Sequence, residues 1–241
     1  MFRLPLRQAE DFLRSLFDVM DLSLETSDHT TISRRSKDLK VKLEPVNSKR
    51  SVHLIVDSTG LSMMGEGEWA AAKHGKRGWR KLHICVGRGG QIHAQVLTDS
   101  SADDASTGLK IIKKTRGKLS SVTGDAAYDT VAIYMKSESR GARFVIPPSR
   151  SASISRRKLR STERDKTIRR VNKVGRRWWK KGAGYHWQGT VENAFFRHKS
   201  ILGDRLYARG LAAQKAEVVI GCKVLSRLLD LGRPKSVAIV R

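Results

Sequence analysis

The chain has 241 residues, enough for one sizeable α/β core with a smaller appendage. Lys and Arg number 48 against 23 Asp and Glu, a net charge of +25, while hydrophobic residues make up 39%. The apolar fraction argues against wholesale disorder, and no apolar run approaches the roughly 20 residues of a membrane-spanning helix. The charge selects a polyanionic partner, with nucleic acid favoured, and says nothing about chemistry.

The N-terminus, MFRLPLRQAEDF, carries acids in its first turns and lacks a signal-peptide core, so a cytoplasmic protein without a membrane partner is expected. Cys85 and Cys222 lie far apart in no metal-ligand spacing and read as buried, reduced thiols. Ala9, Phe12, Leu13, Leu16, Phe17 and Met20 repeat at helical spacing, which predicts an amphipathic first helix. After a break at residues 22–27, Ser27 or Asp28 is placed to cap a short second helix through Thr31, Ile32, Arg34 and Arg35. The pair fits a helix-turn-helix or an ordinary helical hairpin equally well. Residues 37–50 are polar, basic and interrupted by Pro45, so they read as a linker. Two units follow: a helical segment over 1–50 and a larger domain over 51–241.

His53-Leu-Ile-Val-Asp57 places three aliphatics in a row, as a buried central strand does, with Asp57 read as closing it. Leu82, Ile84 and Val86, then Ile92, Ala94 and Val96, alternate around Gly87-Arg-Gly-Gly90, predicting a hairpin with a glycine-rich turn. Leu109, Ile112 and Ala105 share a helical face; residues 120–125 read as a short strand, 130–139 as a helix, and 143–148 as a strand stopped by Pro147 and Pro148. This order is that of a mixed α/β sheet flanked by helices. Residues 140–181 are dense in Lys and Arg with only Glu163 and Asp165 as acids, and are expected to form a solvated loop with a possible helix, mobile without an anionic partner. Helical periodicity returns around Glu192 and again through Val218, Cys222, Leu225 and Leu229.

Three carboxylates stand out. Asp57 and Asp125 each end a predicted strand, where α/β sheets hold their ligands. Tyr185, Gln188, Glu192 and Lys199 fall on one stripe of a predicted helix. Acids converging from two strands and a helix suit hard cations such as Mg²⁺, completed by phosphate oxygens and water. Two such ions can activate an attacking oxygen and stabilise the leaving oxygen of a phosphodiester displacement.

Asp57-Ser-Thr-Gly, Gly124-Asp-Ala-Ala-Tyr-Asp129 and Tyr185-x2-Gln188-x3-Glu192-x6-Lys199 resemble the three catalytic blocks of bacterial insertion-sequence transposases with an RNase H-like DDE domain. The last block resembles their Tyr-Arg-Glu-Lys signature, with Gln188 in place of Arg. Lys73-His-Gly-Lys-Arg-Gly-Trp-Arg-Lys-Leu-His83 looks like the family's basic segment. The resemblance spans essentially the whole chain, although family members usually carry a longer N-terminal region. It implies that Asp57, Asp125 and Glu192 ligate two Mg²⁺ ions, for which Mn²⁺ substitutes. It implies that Lys73, Arg77, Arg80, Lys81, Tyr185, Gln188, Arg197 and Lys199 contact DNA. The implied partners are double-stranded DNA (terminal inverted repeats and target) and a second copy in a synaptic dimer; the implied setting is a bacterial cytoplasm, at the nucleoid. Trp79, Trp178, Trp179 and Trp187 are stacking candidates, though core packing suits at least half of them. His83, His186 and His198 fit no metal motif. A nuclease of the same fold and a truncated remnant that binds DNA without strand transfer remain as alternatives.

Overall fold

A computed structural model describes residues 4–36, 38–39, 41–43, 51–63, 78–115, 117–155 and 162–232. Lys73, Arg77 and much of the expected linker lie outside the described residues.

Strand β1, Val52–Met63, is the organising element because it is paired along both edges. On one side it runs antiparallel to β2, Trp79–Val86, which pairs antiparallel with β3, Ile92–Asp99. On the other it runs parallel to β4, Leu119–Thr123, followed by β5, Arg143–Val145. The sheet order is therefore β3-β2-β1-β4-β5, with the short β6, Arg205–Leu206, joining β1 parallel at Ser62 and Met63. Three antiparallel strands followed by two parallel ones form the mixed sheet of the RNase H-like fold.

Side-chain alternation divides the core into two layers. Leu54 and Val56 face one side, where they pack with Ile111 and Ile112 of α3, Asp104–Lys114, and with Ile133 and Tyr134 of α4, Val131–Glu138. Ile55 faces the other, with Val191 and Phe195 of α7, Gly189–Arg197, and with Val218, Cys222 and Leu225 of α8, Leu211–Asp230. Both cysteines are free and buried. No helix among the described residues is long and apolar enough to cross a membrane.

Asp57 does not close its strand, contrary to the sequence expectation. β1 continues to Met63 because Ser58 to Ser62 pair with His83 to Trp79 of β2. Small polar residues such as Ser58, Thr59 and Gly60 carry no apolar alternation, so that extension is set by the partner strand.

A second correction concerns residues 140–181. Two helices form there, α5 over Thr162–Val174 and α6 over Arg176–Ala183. An ion pair anchors α5: the Arg164 guanidinium donates to both oxygens of Asp129, at 2.8 and 2.9 Å. The Asp129 side chain is fully buried and also accepts from the Ser149 amide. A bidentate pair of this kind fixes orientation as well as contact.

The expected N-terminal helices are α1, Leu6–Val19, and α2, His29–Ser36, joined by residues 20–28. Asp28 caps α2 by accepting from the Thr30 amide at 2.7 Å. Glu10 fastens the two helices, accepting from the His29 amide at 3.0 Å and lying 2.9 Å from its Nδ1.

Candidate active site

The parallel pairing of β1 with β4 ends at Ile55 and Thr123. Two residues further along each strand come Asp57 and Asp125. Extending the register sets them at one level, in a gap that β1 leaves between its β4 and β6 pairings. Such a crevice, where neighbouring connections diverge beyond a strand end, is where open α/β sheets bind ligands. Asp57 shares the sheet face of Ile55, the face covered by α7.

Local bonds hold each aspartate. Asp57 Oδ1 accepts from the Ser58 amide at 2.7 Å, and Oδ2 accepts from Gln188 Nε2 at 3.2 Å. Asp125 caps the short 3₁₀ turn Ala126–Tyr128 by accepting from the Ala127 amide at 2.9 Å. Gly124 makes room for that turn: a Cβ there would meet Tyr128 at 3.1 Å and Val56 at 3.3 Å.

Glu192 comes from α7, which does not stand alone. A 3₁₀ turn, Tyr185–Gln188, leads into it and a π turn, His198–Leu202, leads out. The single regular stripe expected from Tyr185 to Lys199 is thus a composite of three helical pitches. Lys199 sits exposed on the π turn, and π turns inside helices recur at functional sites.

The acids sense one another. Burial raises the Asp57 carboxyl to about 6, and the charges of Asp125 and Glu192 push in the same direction. Burial also raises Asp125, reinforced by Asp104. Tyr185 is raised to about 12 by burial and by the charges of Asp125, Asp57 and Glu192, so its phenol stays protonated facing all three. A divalent cation would offset the burial that raises Asp57 and Asp125, and the donors here are the oxygens Mg²⁺ prefers.

Among the described residues, the group whose ligand atoms all lie within 4.8 Å of one another is Glu10, Asp28 and His29. That group is accounted for by the α1–α2 fastening, with Arg14 adding a 2.9 Å bond to Glu10. Asp57, Asp125 and Glu192 are less tightly gathered.

Several residues expected to meet DNA point inward. Gln188 is 4% exposed, and its Oε1 has no protein partner. Arg80 donates to Gln214 Oε1 at 3.2 Å and pairs with Asp99. Lys81 is held by Asp104 at 3.1 Å and the Ala102 carbonyl at 2.9 Å. Arg197 donates to the Leu225 carbonyl at 3.0 Å. Tyr185 is half-buried, with the Lys180 ammonium 4.5 Å from its ring. Of the tryptophans, Trp179 is buried, Trp187 half-buried, and Trp79 and Trp178 exposed. His83 is fully buried and lowered to about 4 by that burial, and burial lowers His198 as well. Asp104 is a neighbour of the site that the sequence did not single out. It heads α3 beside Lys81 and His83, and the only signal for it was a pair of acids opening a helix.

A family model described as Transposase DDE domain matches residues 48–226, and a second model of that description matches residues 1–66. The family comparison supports a nucleotidyl-transferase type of enzyme. The chain belongs to the Transposase DDE domain family, and its function is of the transposase type. Among solved structures, a chain of the cryo-EM structure of the simian T-cell lymphotropic virus intasome in complex with PP2A regulatory subunit B56 gamma is similar over 82% of this chain and 69% of that one, at 10% identity and a TM-score of 0.29.

Proposed function

We propose that the protein cleaves DNA at the ends of an insertion sequence and joins the freed ends to target DNA, with Asp57, Asp125 and Glu192 holding two Mg²⁺ ions. The observation that carries this reading is the placement of the three acids, two at one level of the sheet and the third on the helix above, near enough that the charges of Asp125 and Glu192 add to the burial that raises Asp57. When bound, the ions supply activation of the attacking oxygen and charge stabilisation at the leaving oxygen, with Mn²⁺ able to substitute. In the first reaction water attacks a phosphorus, the bond from phosphorus to the 3′ oxygen breaks, and that oxygen leaves as a 3′-hydroxyl. In the second the 3′-hydroxyl attacks a target phosphodiester, and a new 3′ oxygen departs.

The chain's own groups orient these steps. Gln188 and the Ser58 amide hold both oxygens of Asp57, so its carboxylate meets the substrate in one rotamer. Tyr185 remains a phenol and donates to a phosphate oxygen. Lys199 offers a point charge to a backbone phosphate. Lys73, Arg77 and the exposed cations of α5 and α6 supply attraction along the duplex. Residues 1–50 act as the helical unit that grips the element end, residues 51–241 carry out the chemistry, and two copies pair in the synaptic complex.

The test is a strand-transfer assay with Mg²⁺ on DNA carrying the element's own ends. Alanine at Asp57, Asp125 or Glu192 should abolish cleavage and leave DNA binding in place. A wild-type protein that binds those ends with Mg²⁺ and never cuts them would instead be a DNA-binding remnant.

A further inference from the structure

The helix that bears Glu192, α7, presents two faces. Val191, Ala194 and Phe195 are buried and form its core side. Gly189, Glu192, Asn193 and Phe196 are exposed and form the opposite stripe. Phe196 is 69% exposed, so its ring adds little to either core layer. Single exposed apolar side chains are common on proteins, and what sets this one apart is its position. It follows Glu192 by one turn of a regular helix, which brings the two Cβ atoms to about 5–6 Å. Lys199, exposed on the π turn, comes next. A candidate metal ligand, an exposed phenyl ring and a cation thus succeed one another beyond the core.

We propose that Phe196 stacks on the terminal base of a cut strand and holds the freed 3′ end beside the acids between cleavage and joining. This role rests on the function proposed above, in which Glu192 holds a cation at the reacting phosphate. Inside a duplex both faces of a base are covered by its neighbours, whereas a strand end leaves one face open to a flat apolar ring. Aromatic rings stack on bases of every kind. A phenyl ring carries no donor or acceptor, so the contact senses that a base is present and not which one. Nucleotides follow one another at about 3.4 Å along a duplex strand. The base within reach of a ring one turn from Glu192 is therefore that of the reacting nucleotide or the next. The contact itself is uncharged, so the neighbouring carboxylate does not oppose it.

The experiment uses the full chain with Mg²⁺ and a short DNA duplex ending in a one-nucleotide 3′ overhang whose base is 5-iodouracil. It needs neither cleavage nor the element's own sequence, so failure of this contact and failure of the strand-transfer reading are seen separately. After irradiation and trypsin, the adduct should fall on the peptide of residues 182–197 and be assigned to Phe196 by fragmentation. Phe196→Ala should remove it and weaken binding of this duplex by about tenfold, while Phe196→Trp keeps both. A duplex with the 5-iodouracil in its interior should give little adduct at that residue. The urea midpoint and sedimentation of Phe196→Ala should match those of the wild type. An adduct confined to other residues, an interior base that crosslinks to Phe196 as well as a terminal one, or affinity unaltered by Phe196→Ala would overturn the proposal. So would a lowered urea midpoint, which marks a ring covered by the chain's own segment, or a lost dimer, which marks one covered by a second copy.

Discussion

Gln188 Nε2 donates to Asp57 Oδ2 across 3.2 Å, joining the turn ahead of the Glu192 helix to the central strand of the sheet. Since Asp57 is pushed upward by burial and by its acidic neighbours, this donor is one of two bonds favouring its ionised form. Gln188→Leu should therefore raise the carboxyl further. The acid limb of the pH profile for metal binding should move to higher pH; for about one pKa unit of loss, cleavage should fall by roughly twofold at pH 7 and approach tenfold only well below pH 6. Gln188→Arg should move that limb the other way. A limb that stays in place in both variants would remove Gln188 from any positioning role.

Asp57 also makes metal-free stability depend on pH. Its folded value of about 6 lies above its ordinary 3.8, so the folded state holds the proton more tightly than the unfolded state. The resulting stabilisation is complete below about pH 4 and is lost as pH rises through 6. With chelator present, stability should drop over that window by on the order of 2–3 kcal/mol, and Asp57→Asn should flatten the drop. Mg²⁺ at roughly a hundred times its dissociation constant should restore about 2.7 kcal/mol to the wild type at pH 8 and nothing to the variant. Urea melts at pH 4, 6 and 8, with and without Mg²⁺, measure both.

The pair formed by Arg164 and Asp129 lies in the stretch whose charge density suggested a solvated loop. Removing the arginine leaves a buried carboxylate, so Arg164→Met should destabilise by about 3–5 kcal/mol. The double variant with Asp129→Asn should recover most of that. Comparing urea midpoints of the two single variants, the double variant and the wild type gives the coupling directly.

Gly108 lies in α3 against Tyr128, where an added Cβ would come within 2.5 Å of Cε1 and 2.8 Å of Cδ1. Tyr128 is 1% exposed and cannot swing away, and its turn carries Asp125 as the cap. Gly108→Ala should cost about 1–3 kcal/mol through overpacking, even though alanine is the better helix former. It should also depress metal-dependent cleavage at temperatures where the protein is fully folded. A variant as stable and as active as the parent would show that the turn tolerates displacement.

Phosphate-dominated binding predicts a steep salt response. If about 6–10 phosphates are contacted, affinity for DNA should fall by roughly 10³–10⁵ between 50 and 200 mM salt. A shallow slope would mean that most of the net charge faces no phosphate.

Much of the sheet could be read from residue order. The aliphatics before Asp57 and the alternation on either side of Gly87–Gly90 are local signals, and local signals survive without coordinates. What escaped depends on partners distant in the chain. Arg80 and Lys81 resemble any surface cations until Asp99, Gln214 and Asp104 fold against them. Gln188 resembles a polar residue on a stripe until Asp57 arrives from 131 positions away. The helices of residues 162–183 were hidden because charge masks their few apolar positions, among them Ile168 and the buried Trp179. The two aspartates of the candidate site followed from their strands, whereas the pitch changes around Glu192 left no trace in the spacing.

Because β1 stays paired with β2 from Ile55 to Ser62, the amides bonded across that ladder near Asp57 are among the last to open, and amide hydrogen exchange there should track global unfolding. The helix bearing Glu192 is held to one face of that sheet by side-chain packing of Val191, Ala194 and Phe195, so loss of that core layer would release it while the strand ladder stays paired. Partial loosening would then leave a two-oxygen-donor remnant at the sheet mouth, able to retain a cation weakly without its third arm. Loss of tight metal retention would in that case give an earlier warning of thermal damage than any change in the β-sheet spectrum.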